Sequence, residues 1–382
     1  MTDIKEKIAM FEKLASEAHH TLLQLKEIEF SDGHVVEKDT TGDFAKPEWQ
    51  RKRDQAKQAP VCYTRNKPPK LKATFSVVRA PTAAESVEIG GQCNIGGATL
   101  EWRASVTVQP ADKTIVSPVM TSSANLPDHV ACYDPLIIAW EINPANQGWI
   151  SVGDSRHVFY VTLADPSGTP AYWTLLDISC RAAHGERTEA GVVKKVFVPF
   201  SGRSLIRKRD GQGLTYWNPR TTNATNTREL LARGDGSGQC GSWSEFLLDM
   251  YKVHGILGGR KIIVVRSVAE WQAAQVGFLV KNWMFKGLGS LASPFRYRMY
   301  TECVELPGIA GQRNPNPPPA FFNHFIVAYG GKYYDPSYGG GPFDDQEKWE
   351  EGAIDGLFQQ SSNGAGKRAA FGAGNILEFH PI

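Results

Sequence analysis

The sequence predicts an α+β protein in three parts: an N-terminal helical arm, an antiparallel β-sandwich and a C-terminal domain that mixes helices and strands. Three observations carry this prediction. Apolar residues recur at steps of three and four near the N-terminus, at steps of two through the middle, and at both periods in residues 206–382. Six or seven β-rich runs between residues 71 and 200 are separated by Gly, Pro, Asp and Ser clusters. A length of 382 residues accommodates two or three domains, each large enough to bury a core without disulfides.

Composition narrows the functional classes. Lys and Arg number 42 against 40 Asp and Glu, so the net charge of +2 offers no electrostatic footprint for nucleic acid or an anionic membrane. No apolar run approaches the roughly 18 residues of a bilayer-spanning helix. The N-terminus, MTDIKEKIAMFEK, is charged throughout and has no apolar h-region. It predicts a cytoplasmic protein without a Sec signal, and it leaves specialised export open. The six cysteines, at 62, 93, 132, 180, 240 and 303, are never closer than 31 residues. That spacing excludes CxxC zinc and redox motifs and does not resemble a small disulfide scaffold. His19 and His20 lack further ligands at metal spacing, so no metal and no cofactor is expected.

The first part spans residues 1–69. Its first 60 residues carry 22 charges, and Ile4, Ile8, Phe11, Leu14, Ala18, Leu22 and Leu25 form one apolar stripe. The spacing predicts a helix over 4–25, N-capped by Thr2 or Asp3, that docks on the body of the protein or on a partner. Residues 31–69, ending in Asn66-Lys67-Pro68-Pro69, read as a linker. The second part spans 70–205. Leu100, Trp102, Ala104, Val106 and Val108 alternate with polar residues, and further strands are expected at 71–79, 136–142, 157–163, 172–178 and 192–200. It holds no catalytic constellation.

The third part, 206–382, carries the chemistry. A helical stretch at 227–233 precedes the Gly-rich turn GDGSGQCG (234–241), and strands are expected at 261–267, 276–283 and 296–303. After Cys240, the residues Trp243, Phe246, Leu247, Met250 and Val253 fall at helical spacing, with Gly255 as the stop. Cys240 thus sits in the first turn of a buried helix, where unpaired N–H groups and the helix dipole favour a thiolate and can hold an oxyanion. Gly238 and Gly241 leave room for a substrate backbone.

Residues 324–337 read HFIVAYGGKYYDPS, and Gly330-Gly331 between two β-rich runs predicts a two-residue hairpin turn. That register sets His324 and Asp335 on one face as diagonal neighbours, about 7–8 Å apart at the backbone. The aspartate can then fix the imidazole tautomer and leave the second ring nitrogen to take a thiol proton.

Together, GQCGSWSEFLLDMYKVHGI (238–256) and HFIVAYGGKYYDPS resemble the transglutaminase-like branch of the papain-like cysteine enzymes. Gly255-Ile256 stand at the family's offsets from the cysteine, and Ser244, Phe246 and Leu247 match its small and apolar positions. The resemblance covers about residues 210–340 and implies a papain/transglutaminase-like catalytic domain with Cys240 as nucleophile, His324 as base and Asp335 as orienter. It implies an oxyanion donor from Trp or Gln, for which Trp217 and Gln239 both qualify. Substrate-binding candidates are Gly238, Gly241, Trp243 and Asn323. The β-rich part is also similar to the immunoglobulin-like module of some such proteins. One departure is that Ser242, not a second cysteine, precedes Trp243, unlike the papain-type Cys-Gly-Ser-Cys-Trp.

Three motifs are set aside. Gly236-x-Gly238-x-x-Gly241 follows a helix instead of a strand, Gly364-Ala365-Gly366-Lys367 lacks the first P-loop glycine, and Cys93 is followed by a period-two strand. The expectation is a thiol acyl-transfer enzyme acting on protein or peptide carboxamides, most simply a cysteine protease or amidase. Two alternatives stay open: a protein-glutamine transglutaminase or deamidase, including one delivered as an effector or toxin, and a binding or scaffold protein without activity.

Overall fold

The structure is a computed structural model that describes residues 20–266, 276–280, 309–318, 320–360, 367–370 and 377–382. It is a mixed α+β fold with more strand than helix. The chain divides into two compact units, one of residues 1–36 and 43–165 and one of residues 37–42 and 166–382. The expected helix positions Ile4 to Ala18 and the expected strand 296–303 lie outside the described residues, as do residues 281–283 of the strand expected at 276–283.

Unit 1 is built from β1 (Leu22–Ser31), β2 (Trp49–Gln50), β3 (Val61–Thr64), β4 (Lys70–Arg79), β5 (Glu85–Ile95), β6 (Ala98–Val108), β7 (Thr114–Val116), β8 (Met120–Thr121), β9 (Ala131–Pro144) and β10 (Ile150–Thr162). One sheet runs β2-β1-β4-β7 with β8 also on β4, and the other runs β3-β10-β9-β5-β6. Inward residues of both sheets, among them Leu25, Phe75, Ile89, Trp102, Trp140 and Phe159, form one apolar core. Period-two alternation explains most of this, because each half-buried strand turns every second side chain inward. The sheets are not wholly antiparallel, since β3 pairs with β10 in parallel, Val61 opposite Phe159.

The expected helix does not extend to Leu22 and Leu25, which lie in β1, and residues 31–69 hold β2 and β3 instead of a plain linker. The buried face of β1 explains the first difference. The register of β1 on β4 shifts between Leu25 and Glu27, so inward residues run Leu23, Leu25, Ile28 and Phe30. Leu22 is only half-buried, so the step of three from Leu22 to Leu25 does not mark one buried face.

Unit 2 begins with two helices where strands were expected, α1 (Trp173–Ala182) and α2 (Glu189–Gly202). The buried residues Leu175, Leu176, Ser179 and Cys180 in α1, and Val192, Val193, Val196, Phe197 and Phe200 in α2, have helical period. Their aromatic and β-branched composition suggests strand, but the period decides. Both N-termini are capped. The buried Asp39 carboxylate accepts from Thr174 N (3.0 Å) and Thr174 Oγ1 (2.7 Å), and Thr188 Oγ1 accepts from Gly191 N (3.1 Å).

There follow β11 (Thr215–Tyr216), α3 (Thr227–Ala232), β12 (Ser237–Gly238), α4 (Cys240–Lys252), β13 (Arg260–Arg266), β14 (Val276–Val280), β15 (Ala320–Phe321), β16 (His324–Tyr329), β17 (Lys332–Asp335), β18 (Gly340–Phe343), α5 (Gln346–Ala353), β19 (Ile354–Gln360), β20 (Lys367–Ala370) and β21 (Leu377–Pro381). One sheet runs β18-β17-β16-β13-β21, and α4 packs against its strand β16. Gly330 (φ 57°) and Gly331 (φ 77°) make the turn between β16 and β17, with Tyr329 opposite Lys332. Both positive φ values are what a two-residue turn of this hand requires.

Candidate active site

The start of α4 is fixed from below. Thr215–Tyr216 pair in parallel with Ser237–Gly238, and Gln239 N donates to Ala224 O at 2.9 Å. The first intrahelical bond runs from Trp243 N to Gln239 O at 3.2 Å. The N–H groups of Cys240, Gly241 and Ser242 thus precede the helical ladder, at the positive end of a 13-residue helix. Ser242 Oγ turns back to Gln239 O at 2.8 Å. Cys240 keeps 8% of its surface exposed, whereas Cys180 has none and Cys62 has 1%.

The loop ahead of Cys240 is braced by two charged residues. The guanidinium of Arg207, buried to 1% exposure, grips Asp210 through Nε and Nη2 (2.9 and 2.6 Å) and donates from Nη1 to Leu231 O (2.7 Å) and Arg233 O. Asp235 accepts from Thr221 Oγ1 (2.7 Å) and Ser237 Oγ (2.8 Å). Burial alone would raise its pKa, but those hydrogen bonds and Arg233 outweigh it and hold the carboxyl at about 2. Asn223 is buried at the same place and bonds Asn218 N and O, so it braces the loop.

On β16 and β17, His324 Nε2 lies 2.9 Å from Asp335 Oδ2, with side-chain exposures of 3% and 1%. Asp335 Oδ1 faces Tyr338 N at 3.4 Å. Nε2 is committed to Asp335, so Nδ1 is the nitrogen left for Cys240. Nδ1 is buried without a hydrogen-bond partner among the described residues, and Cys240 favours the imidazolium. Burial, the largest single influence, pushes the His324 pKa down; the Asp335 carboxylate and Cys240 together outweigh it and raise it well above the ordinary histidine value. Phe321 (5.5 Å, 26°) and Trp349 (6.0 Å, 15°) stack on the imidazole, a setting that favours the imidazolium.

The other expected site residues divide. Trp217 is half-buried, and its backbone N donates to Gly238 O (3.0 Å), which leaves only the indole N–H as a donor. It is held at φ 55°, a costly conformation for a bulky residue, by Asn314 Nδ2 bonding its carbonyl at 2.7 Å. Gln239 is half-buried, its side chain makes no cap bond, and its carboxamide stays available. Gly241 is open enough that an added Cβ would meet nothing nearer than Thr225 O at 3.6 Å, and Asn323 is exposed beside His324. Gly238 and Trp243 are corrections. A Cβ at Gly238 would lie 2.2 Å from Ser242 Oγ, so this glycine serves close packing under the helix. Trp243 is fully buried against Phe200 (6.2 Å) and Phe246 (5.9 Å), a core residue with no surface left for a substrate.

The structure adds residues that the sequence reading missed. Tyr216 and Tyr338 are buried against each other (5.1 Å), and Tyr338 against His324 (5.7 Å). Burial, with the charges of Cys240 and Asp335, drives both phenols far above their ordinary range, so they stay protonated. Their adjacency to Trp217 and Asp335 in sequence was a signal; Arg207 and Gln312 offered none. His20 pairs with Glu85 at 2.8 Å. Among the described residues no group of three or more His, Cys, Asp or Glu could hold a metal, and no helix is long and apolar enough to cross a membrane.

No protein-family model matches the chain, and a search of curated proteins returns no match.

Proposed function

We propose that this protein is a thiol acyl-transfer enzyme that hydrolyses carboxamide bonds in proteins or peptides through Cys240, His324 and Asp335. The observation that carries the reading is the buried 2.9 Å His324–Asp335 pair, set beside a cysteine in the first turn of a helix. In the same proposal, unit 2 follows the helix-on-sheet plan of the transglutaminase-like, papain-like enzymes, and unit 1 the two-sheet plan of an immunoglobulin-like module.

The chemistry follows from the placement of each group. The Cys240 proton passes to His324, and the thiolate attacks the carbonyl carbon while the carbonyl oxygen becomes an oxyanion. The Cys240 backbone N–H and the Trp217 indole or Gln239 carboxamide are the donors that receive it. The imidazolium, held by Asp335 and stacked by Phe321 and Trp349, gives its proton to the leaving amine as the C–N bond breaks. Water then adds to the thioester with His324 as base, the C–S bond breaks, and the acid leaves as the thiol is reprotonated.

The test is incubation with a casein-like protein and a labelled amine, following fragment release, ammonia release and amine incorporation in wild type and Cys240→Ala. Hydrolysis predicts fragments or ammonia in the wild type alone. Amine incorporation redirects the reading to transglutamination, and no difference between the two proteins overturns it.

A further inference from the structure

Gln312 lies near the triad, and its hydrogen bonds go to none of the reacting atoms. It is fully buried, and its Nε2 donates to Phe200 O and to Pro336 O, both at 2.8 Å. Its backbone N donates to Ser337 O (3.0 Å), and its backbone O accepts from Tyr216 N (2.8 Å). One residue therefore joins three parts of the site. Pro336 and Ser337 directly follow Asp335. Tyr216 is aligned with Gly238, two residues before Cys240. Phe200 packs on Trp243 and Phe246 of the cysteine helix (6.2 and 6.1 Å).

The amide is costly where it sits. Oε1 is buried without a hydrogen-bond partner among the described residues, so an apolar side chain of the same length would fill the space without that penalty. What the apolar side chain lacks is the pair of N–H donors, and both of those are spent on fixing backbone carbonyls. The segment they fix ends at the carboxylate that orients His324.

We infer that Gln312 is a positioning residue that locks the Asp335-Pro336-Ser337 turn against helix α2 and so sets the reach of Asp335 to His324. The inference rests on the proposed catalytic reading of that pair. It assigns Gln312 no contact with substrate.

The test reads the state of His324 and not bulk stability. Cys240 is alkylated with iodoacetate across pH in wild type, Asp335→Asn, Gln312→Leu and Gln312→Met. Iodoacetate is an anion drawn by the imidazolium, so the alkaline limb of its rate profile marks the loss of the His324 proton. The groups bearing on His324 are Asp335, Cys240 and the neutral phenol of Tyr338, all unchanged in the Gln312 variants. Gln312→Leu and Gln312→Met both remove the NH2 group without adding a charge, the second at nearly constant length, and the second keeps the test independent of whether the first folds. The expected result is an alkaline limb moved to lower pH in both, in the direction Asp335→Asn moves it. The rate on the plateau should also fall about 10- to 100-fold, the scale of a small misplacement of a reacting group. A wild-type profile in a folded Gln312 variant, with Asp335→Asn shifted, overturns the role of Gln312 alone. An unshifted Asp335→Asn overturns the catalytic reading beneath it.

Discussion

Replacing Asp335 by Asn changes the site by one charge and almost no volume, and its effect can be worked from the geometry. The carboxylate meets His324 Nε2 at 2.9 Å where both side chains are almost wholly out of water. A hydrogen bond to a charged partner contributes about 1.5–3 kcal/mol, so its loss from the imidazolium that protonates the leaving amine costs about 10- to 150-fold in kcat/KM. The pH dependence changes as well. With the carboxylate gone, burial, which is the largest influence on His324, acts with far less opposition and pushes the imidazole down. The alkaline limb of kcat/KM then moves to lower pH. Stability follows the same sign. The raised His324 pKa adds stability that is fully present just below about pH 6.5 and is lost as pH rises through the raised value. The stability gap between wild type and variant is therefore widest in that acidic window and narrows upward. Initial rates on a chromogenic amide across pH, with urea unfolding at matched pH, measure both. A variant within threefold of wild type, with an unmoved alkaline limb, would falsify the role of the pair.

Limited carboxamidomethylation followed by peptide mass spectrometry should label Cys240 ahead of Cys62 and Cys93, whose thiols burial pushes up, that of Cys93 to about 12. Earlier labelling of either would contradict the activated-thiol reading. Trp217→Phe, which removes the indole N–H at a strained position, should lower kcat about 100-fold with little change in KM, and Gln239→Leu should do less; the reverse order moves the oxyanion donor to Gln239. His157 is buried in unit 1 with its pKa pushed down to about 3 by desolvation. Folding stability should therefore fall at about 1.4 kcal/mol per pH unit from this group as pH drops from about 6.5 toward 3, and His157→Gln should flatten that slope in urea titrations.

Legibility in the sequence followed the range of the interaction. The helix after Cys240 and the hairpin from His324 to Asp335 are encoded within about 15 residues each, by apolar spacing and by Gly330-Gly331, and both stand where that spacing put them. Where two local signals disagreed, composition was the weaker guide. Residues 172–178 and 192–200 carry strand-forming side chains on a helical period, and burial of Leu175, Val196 and Phe200 follows the period. At β1 the period itself misled, because Leu22 is only half-buried and its step of three to Leu25 does not mark one buried face.

The sequence by itself determined the chemistry on offer: a thiol in the first turn of a helix, and a histidine and an aspartate on one face of a hairpin. Each depends on contacts between residues close along the chain, so periodicity and turn chemistry suffice to state them. Only the tertiary structure decided that the hairpin lies against the cysteine helix and that Nε2 of His324 is the nitrogen given to Asp335. It alone decided that Trp243 belongs to the core and that Arg207, Gln312 and Trp349 brace the site. Gln312 stands 112 residues from Phe200 and 24 from Pro336. No local pattern records partners so far apart, because what selects them is the low dielectric of a shared interior, where each buried donor must find its acceptor wherever the fold brings one.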